Sequence, residues 1–149
     1  MTLAKTTTTF EELGVSPVII KALEENGFQT PFPIQRAAIP LVLKGVDVIG
    51  QAHTGTGKTA AFALPILTKI KTKPNGQIQA LILVPTRELA LQVANEFNKF
   101  AKYTGIRTIA IYGGQNIRVQ FKQLRGGVQI VVATPGRLID HVKQDHQAG

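Results

Sequence analysis

The residues best able to do chemistry are Ala52-His53-Thr54-Gly55-Thr56-Gly57-Lys58-Thr59, which follow the apolar run Val46-Asp47-Val48-Ile49-Gly50. A strand entering a Gly-rich loop that closes on Gly-Lys-Thr is an arrangement for binding nucleotide phosphates. Gly55 and Gly57 permit backbone conformations closed to other residues, so successive N–H groups can point inward at an anion. Lys58 adds a point charge for the outer phosphates, and Thr59 offers a hydroxyl to Mg2+. A helix beginning near Lys58 aims its positive end at the same place. Ala52 stands where the general pattern has its first glycine. The bland alternative is a plain glycine turn before a helix, which the full Gly-x-Gly-Lys-Thr spacing disfavours.

The elements that must position this loop can be read from capping residues and apolar spacing. Ser16-Pro17 opens a helix that Gly27 closes after Asn26. A second short helix starts near Pro33 and runs through Gln35, Ala38 and Leu41 to Gly45. The chain then alternates, with strands expected at 46–51, 80–84, 107–111 and 129–133. Helices are expected at 58–70, 87–102, 117–124 and 136–144. Ala80-Leu81-Ile82-Leu83-Val84 and Ile130-Val131-Val132-Ala133 are continuously apolar, the pattern of strands buried on both faces. Strand–helix alternation of this kind predicts an α/β fold with a parallel sheet covered by helices on both faces.

Ligands of such sheets sit beyond the carboxyl ends of the strands. The loops after the later strands begin Pro85-Thr86-Arg87, Gly113-Gly114 and Thr134-Pro135-Gly136-Arg137. Thr86 and Thr134 are natural N-caps, which is their structural reading. A helix N-terminus beside an arginine is also a phosphate-binding device, and its repetition at one sheet edge favours a nucleic-acid backbone site. Gly126-Gly127 precedes a strand, at the opposite edge, and reads as a plain turn. His141 and His146 lie in a polar C-terminal stretch and are expected to be solvated.

Composition sets the outer limits. At 149 residues the chain can bury one core, and its 44% of apolar residues contain no run approaching a membrane span. Met1 to Phe10 has no apolar segment of the secretory kind, and the four threonines Thr6–Thr9 suit a flexible lead-in over residues 1–9. With no cysteine there is no disulfide or thiolate metal site, which fits an intracellular, cytoplasmic protein. The net charge of +8 is uneven: residues 1–98 carry 9 basic and 7 acidic side chains, residues 99–149 carry 8 and 2. A basic second half suits a polyanionic partner as well as it suits a solvated surface.

Taken with Gly27-Phe28-Gln29-Thr30-Pro31-Phe32-Pro33-Ile34-Gln35, these motifs resemble the first RecA-like domain of a DEAD-box RNA helicase, in order and over nearly the whole chain. Gly27 to Gln35 resembles the family's Q motif (residues 8–36 with its upstream aromatic, Phe10). Residues 52–59 resemble motif I, including Ala52, while His53 fills a position that varies in the family. Residues 85–90 resemble motif Ia, Gly113-Gly114 the GG motif, and 134–137 motif Ib. The resemblance implies a RecA-like domain over residues 10–149, with ATP and Mg2+ as cofactors. Gln35 would read adenine, since a side-chain amide donates and accepts at once. Phe10 would stack on the adenine face, with Phe28 and Pro31 completing that motif. Without the resemblance, Gln35 reads as a surface helix residue and Phe10 as a core anchor. Lys58 and Thr59 would be the catalytic contacts to phosphate and metal. Pro85, Thr86, Arg87, Gly113, Gly114, Thr134, Pro135, Gly136 and Arg137 would grip an RNA backbone with little base reading, in a salt-sensitive manner.

Cleaving a phosphate also needs a carboxylate on Mg2+ and a group that orients water. The family supplies both from an Asp-Glu-Ala-Asp segment ending a later strand, and this sequence contains no such segment. After the phosphate loop its acidic residues are Glu88, Glu96, Asp140 and Asp145, all expected in helices or the tail. The second RecA-like domain is expected to be missing as well. The expectation is a partial domain, incomplete at its C-terminal end, that binds ATP and RNA and does not hydrolyse. In the family the absent strands pair beside the phosphate-loop strand, so a long apolar edge would be left exposed. The alternatives are a non-catalytic RNA- or nucleotide-binding module, and another phosphate-loop NTPase.

Overall fold

The structure is a computed structural model that describes residues 8–52, 57–70 and 77–148. Two compact units account for it. One gathers the chain up to Lys69 together with Lys102–Thr104; the other takes Ile70–Ala101 and Gly105–Gly149.

The first unit is helical. It contains α1 (Pro17–Glu25), α2 (Pro33–Leu43) and α3 (Lys58–Lys69). Proline opens α1 and α2, where its missing N–H costs nothing. Gly27, at φ +80°, ends α1: its N–H donates to the Glu24 carbonyl and that of Phe28 to the Leu23 carbonyl at 2.9 Å. This pair of bonds satisfies the last turn and turns the chain sharply into the segment before α2. α2 packs chiefly on α3, and Ile19, Leu23, Ile39, Leu64 and Leu67 are fully buried. Lys102–Thr104 belongs here because the Tyr103 hydroxyl donates to the Glu25 carboxylate, with Lys102 Nζ 3.2 Å from the same group.

The expected strand at 46–51 does not form. No described strand pairs with these residues, Val46 and Val48 are exposed, and Ile49 is wholly so. A strand is defined by a ladder, and an apolar run without a hydrogen-bonded neighbour stays extended but unpaired. In place of the exposed strand edge expected there, the structure has an unpaired apolar segment.

The second unit contains β1 (Ala80–Leu83), α4 (Arg87–Phe100), β2 (Thr108–Ile111), α5 (Ile117–Arg125), β3 (Ile130–Ala133) and α6 (Pro135–Ala148). Its sheet is parallel in the order β1-β3-β2, with Leu81 and Ile109 both registered on Val131. All three strands fall within the expected spans, as do the helices to within a turn at most. On one face Ile109, Ile111, Val128, Val131 and Ala133 form a cluster joined by Leu124 of α5 and Leu138 of α6. α4 packs on β2 and β3 and buries Ala90, Val93, Ala94, Phe97 and Phe100. The Asn98 amide also clasps the backbone of Thr108, donating to its carbonyl at 2.9 Å and accepting from its N–H at 3.0 Å.

β3 is central and buried at every position, as expected. β1 is not: Leu81 and Leu83 are 50% and 55% exposed. The expectation of burial on both faces fails there because β1 is an edge strand, and alternate side chains on one of its faces have no described element over them. Gly126-Gly127 is the turn expected, ending α5 with both carbonyls near Arg107 Nη1.

Candidate functional site

The nucleotide motifs lie in the helical unit. α3 starts at Lys58, with Gly57 before it at φ +76°. A Cβ on Gly57 would sit 2.1 Å from Gln35 Nε2 and 2.9 Å from the Phe32 ring, so only glycine fits. His53, Thr54, Gly55 and Thr56 lie outside the described residues; Ala52 and Gly57 flank them. Lys58 is exposed and Thr59 half-buried at the helix start. A cleft of about 200 Å3 runs beside Lys58, lined among others by Ile34, Val48, Gly50 and Phe62.

Gln35 is buried, not a surface helix residue. Its Oε1 accepts from the Phe32 N–H at 2.9 Å, and its Nε2 donates to the Gly57 carbonyl at 3.1 Å. Both ends of the amide are thus engaged, one at the start of α2 and one at the end of the Gly-rich loop. Pro31 is buried too, and its carbonyl accepts from Arg36 Nη1 at 2.8 Å. Phe28 is half-buried and meets Phe10 edge-on, ring centroids 6.5 Å apart. Phe10 itself is only 4% exposed, so its core-anchor role is realised here. An open cleft of about 360 Å3 is lined by Asn26–Thr30 and Phe32. The residues fit a nucleotide's phosphates through Gly57 and Lys58. For Mg2+ they offer the Thr59 hydroxyl; no group of His, Cys, Asp or Glu able to hold a metal occurs among the described residues.

The other three motifs lie in the sheet unit, each directly after a strand. Pro85 and Thr86 follow β1, and the Thr86 hydroxyl accepts from the Leu89 N–H at 3.2 Å, capping α4. Arg87, exposed at the first position of α4, holds its guanidinium 5.3 Å from the Tyr112 ring centre. Gly113 and Gly114 follow β2 and are exposed, Gly114 at φ +91°. A Cβ on Gly114 would lie 3.6 Å from Arg87 Nη1, which places the first two motifs side by side. Thr134, Pro135 and Gly136 lead from β3 into α6, and Arg137 Nη1 donates to the Gln115 carbonyl at 2.9 Å. Arg137 Nε, buried without a hydrogen bond, lies 3.8 Å from the Asp140 carboxylate. The sheet therefore brings together Arg87, the Gly113-Gly114 backbone and Arg137, a cationic and N–H-rich edge suited to phosphate oxygens.

Two residues of this edge escape sequence reasoning. His141, expected to be solvated, is buried: its Nε2 lies 2.9 Å from Gln120 Oε1 and its ring 4.5 Å from that of Phe121. Burial pushes its pKa below the ordinary histidine range, the Arg137 charge adds to this, and Asp140 opposes it. Gln120, fully buried, reaches back to the Tyr112 carbonyl at 3.0 Å and to Gln115 Oε1 at 2.7 Å. The only signal for His141 is its position four residues after Arg137, on the same helix face. The side chain of His146 lies outside the described residues.

Comparison with known proteins bears on the family and the fold. The family model described as DEAD/DEAH box helicase matches residues 32–148. The chain is 49% identical over 136 residues to the DEAD-box ATP-dependent RNA helicase RhpA of Helicobacter pylori (strain B128), covering 91% of this chain and 27% of that protein. It is 54% identical over 140 residues to the ATP-dependent RNA helicase DeaD of Buchnera aphidicola subsp. Schizaphis graminum, covering 93% and 23%. The crystal structure of a DEAD box protein from Methanococcus jannaschii superposes with a TM-score of 0.85 at 42% identity, over 92% of this chain and 37% of that one. The chain thus spans about a quarter of the length of these curated relatives. No helix among the described residues is long and apolar enough to cross a membrane. With a family model matched over most of its length and a solved relative sharing its RecA-like α/β fold, the chain belongs to the DEAD/DEAH box helicase family.

Proposed function

We propose that this chain is the ATP- and RNA-binding portion of a helicase that couples ATP binding and hydrolysis to local opening of RNA duplexes. The observation that carries the reading is the convergence of Arg87, Gly113-Gly114 and Arg137 at the carboxyl ends of three parallel strands. Such an edge grips sugar and phosphate without reading bases, so binding is sequence-independent and falls steeply with salt. ATP is assigned from the Q-motif resemblance of residues 27–35: the Gln35 amide, buried and bonded to Phe32 and Gly57, keeps one further N–H and one further acceptor position that adenine could take, and its tie to Gly57 links base reading to the phosphate loop. Lys58 holds the outer phosphates and Thr59 contributes a hydroxyl to Mg2+. When bound, the metal offsets charge on the phosphates; Lys58 and the start of α3 orient them.

Cleavage is assigned elsewhere. Glu88 and Glu96 lie in α4 and Asp140 and Asp145 in α6, none of them directly after a strand. Hydrolysis needs such a carboxylate. We therefore assign these 149 residues to binding, and turnover to a segment bearing Asp-Glu-Ala-Asp acting with a second RecA-like domain. Cytoplasmic residence accompanies that role. Competition between ATP and GTP tests the adenine assignment. Loss of the preference for ATP in Gln35→Ala is the expected result, and an unchanged preference would point to a different phosphate-loop enzyme. RNA-stimulated ATP turnover by residues 1–149 alone would overturn the division of labour.

A further inference from the structure

Gln120 and His141 are buried polar residues that no phosphate- or backbone-binding role uses. The Gln120 amide nitrogen donates to the Tyr112 carbonyl and to Gln115 Oε1, which commits both of its protons. Its oxygen therefore faces His141. An amide oxygen only accepts, so His141 Nε2 carries the ring proton and Nδ1 is bare. Nδ1 is buried with no hydrogen-bond partner. Arg137, one turn earlier on α6, holds the Gln115 carbonyl. The loop Tyr112–Asn116, which contains Gly113-Gly114, is thus clamped at two backbone carbonyls by side chains of α5 and α6.

We infer that the His141–Gln120 pair positions the Gly113-Gly114 loop for an RNA phosphate, and that a second proton on the His141 ring releases it. This rests on reading the sheet edge as an RNA site. A proton on Nδ1 leaves the Nε2–H bond in place but puts a charge in a buried position with no acceptor among the described residues, a cost relieved when the ring moves out to solvent and lets go of Gln120. Among the described residues the charged groups around the ring are Arg137 and Asp140 on α6 and Arg125 on α5, which lines the same cleft as His141 and Phe121. Burial, then Arg137, favour the neutral ring, and Asp140 opposes them. A histidine depressed in the folded state stabilises it above the ordinary histidine range, and that contribution is lost as pH falls through the folded value. RNA binding usually tightens with acid as cationic charge accumulates. Here it weakens.

The test combines NMR of the chain with fluorescence anisotropy on a labelled oligouridylate. The wild-type His141 ring should show the Nε2-protonated pattern, and the Gly113 and Gly114 amide signals should move as it titrates. His141→Phe leaves the Gln120 oxygen without its donor; RNA affinity should fall about tenfold and those two glycine signals should shift. His141→Gln can donate to the same oxygen, so it should return affinity to within about threefold of wild type while abolishing the weakening in acid. Unchanged glycine signals in His141→Phe, or a ring protonated at Nδ1, overturn the positioning role. If the glycine signals shift but wild type and Arg87→Ala are alike in failing to bind RNA, the RNA reading falls and the loop clamp stands.

Discussion

Ile130–Ala133 and Val46–Gly50 are two short apolar runs with opposite fates. Every residue of the first is buried, between β1 and β2 and beneath helices, while in the second Val46, Val48 and Ile49 are exposed. Both are rich in Val and Ile, although the second also holds Asp47 and Gly50; the first has hydrogen-bonded neighbours on both sides and the second has none described. A strand is thus conferred by its partners. The candidate sites inherit this contrast. The edge with Arg87 and Arg137 hangs from three paired strands, whereas Lys58 and Gln35 are held by helix caps and one amide contact.

Four substitutions probe the contrast. Ile130→Ala, at a fully buried central position, should destabilise the sheet unit by about 2–5 kcal/mol in chemical denaturation. A loss near zero would mean that β3 is not the centre of a packed sheet. Lys58→Ala should weaken ATP about 10- to 100-fold by calorimetry, through loss of a charge-assisted contact, and leave RNA affinity unaltered. A parallel loss of RNA affinity would show that the sites share the residue. Thr86→Ala removes the α4 cap and should cost about 1 kcal/mol of stability, a change readable as a small fall in Tm. Ile49→Thr should alter stability by less than about 0.5 kcal/mol, since its side chain is already in water. A larger loss would reveal a partner for this segment.

The strands of the sheet and all six helices were legible because their signals are local: Ser16-Pro17, Thr86 and the turn glycines fix ends, and the run Ile130–Ala133 needs only burial. That residues 46–51 form no strand was not legible, since pairing depends on residues far away in sequence. Leu81 and Leu83 misled for the same reason, an edge strand having the composition of a central one. At the site, Lys58, Arg87 and Arg137 announce themselves by charge and spacing. His141 does not, because a polar sequence around a histidine says nothing of Phe121 and Gln120 arriving from α5 to enclose it. Gln35 could be given its nucleotide role only by resemblance, and its burial against Gly57 required the fold.

The clasp of Asn98 on Thr108 has a consequence for association. β2 is an edge strand, and the Thr108 N–H and carbonyl are what an added strand would need there. With the Asn98 amide on both, one side chain imitates a single residue of a fourth strand and blocks growth of the sheet on that side. No described strand occupies the outer edge of β1, where Leu81 and Leu83 stay exposed. Of the two edges, that of β2 is thus opposed to a new strand at Thr108, and that of β1 has no described strand against it.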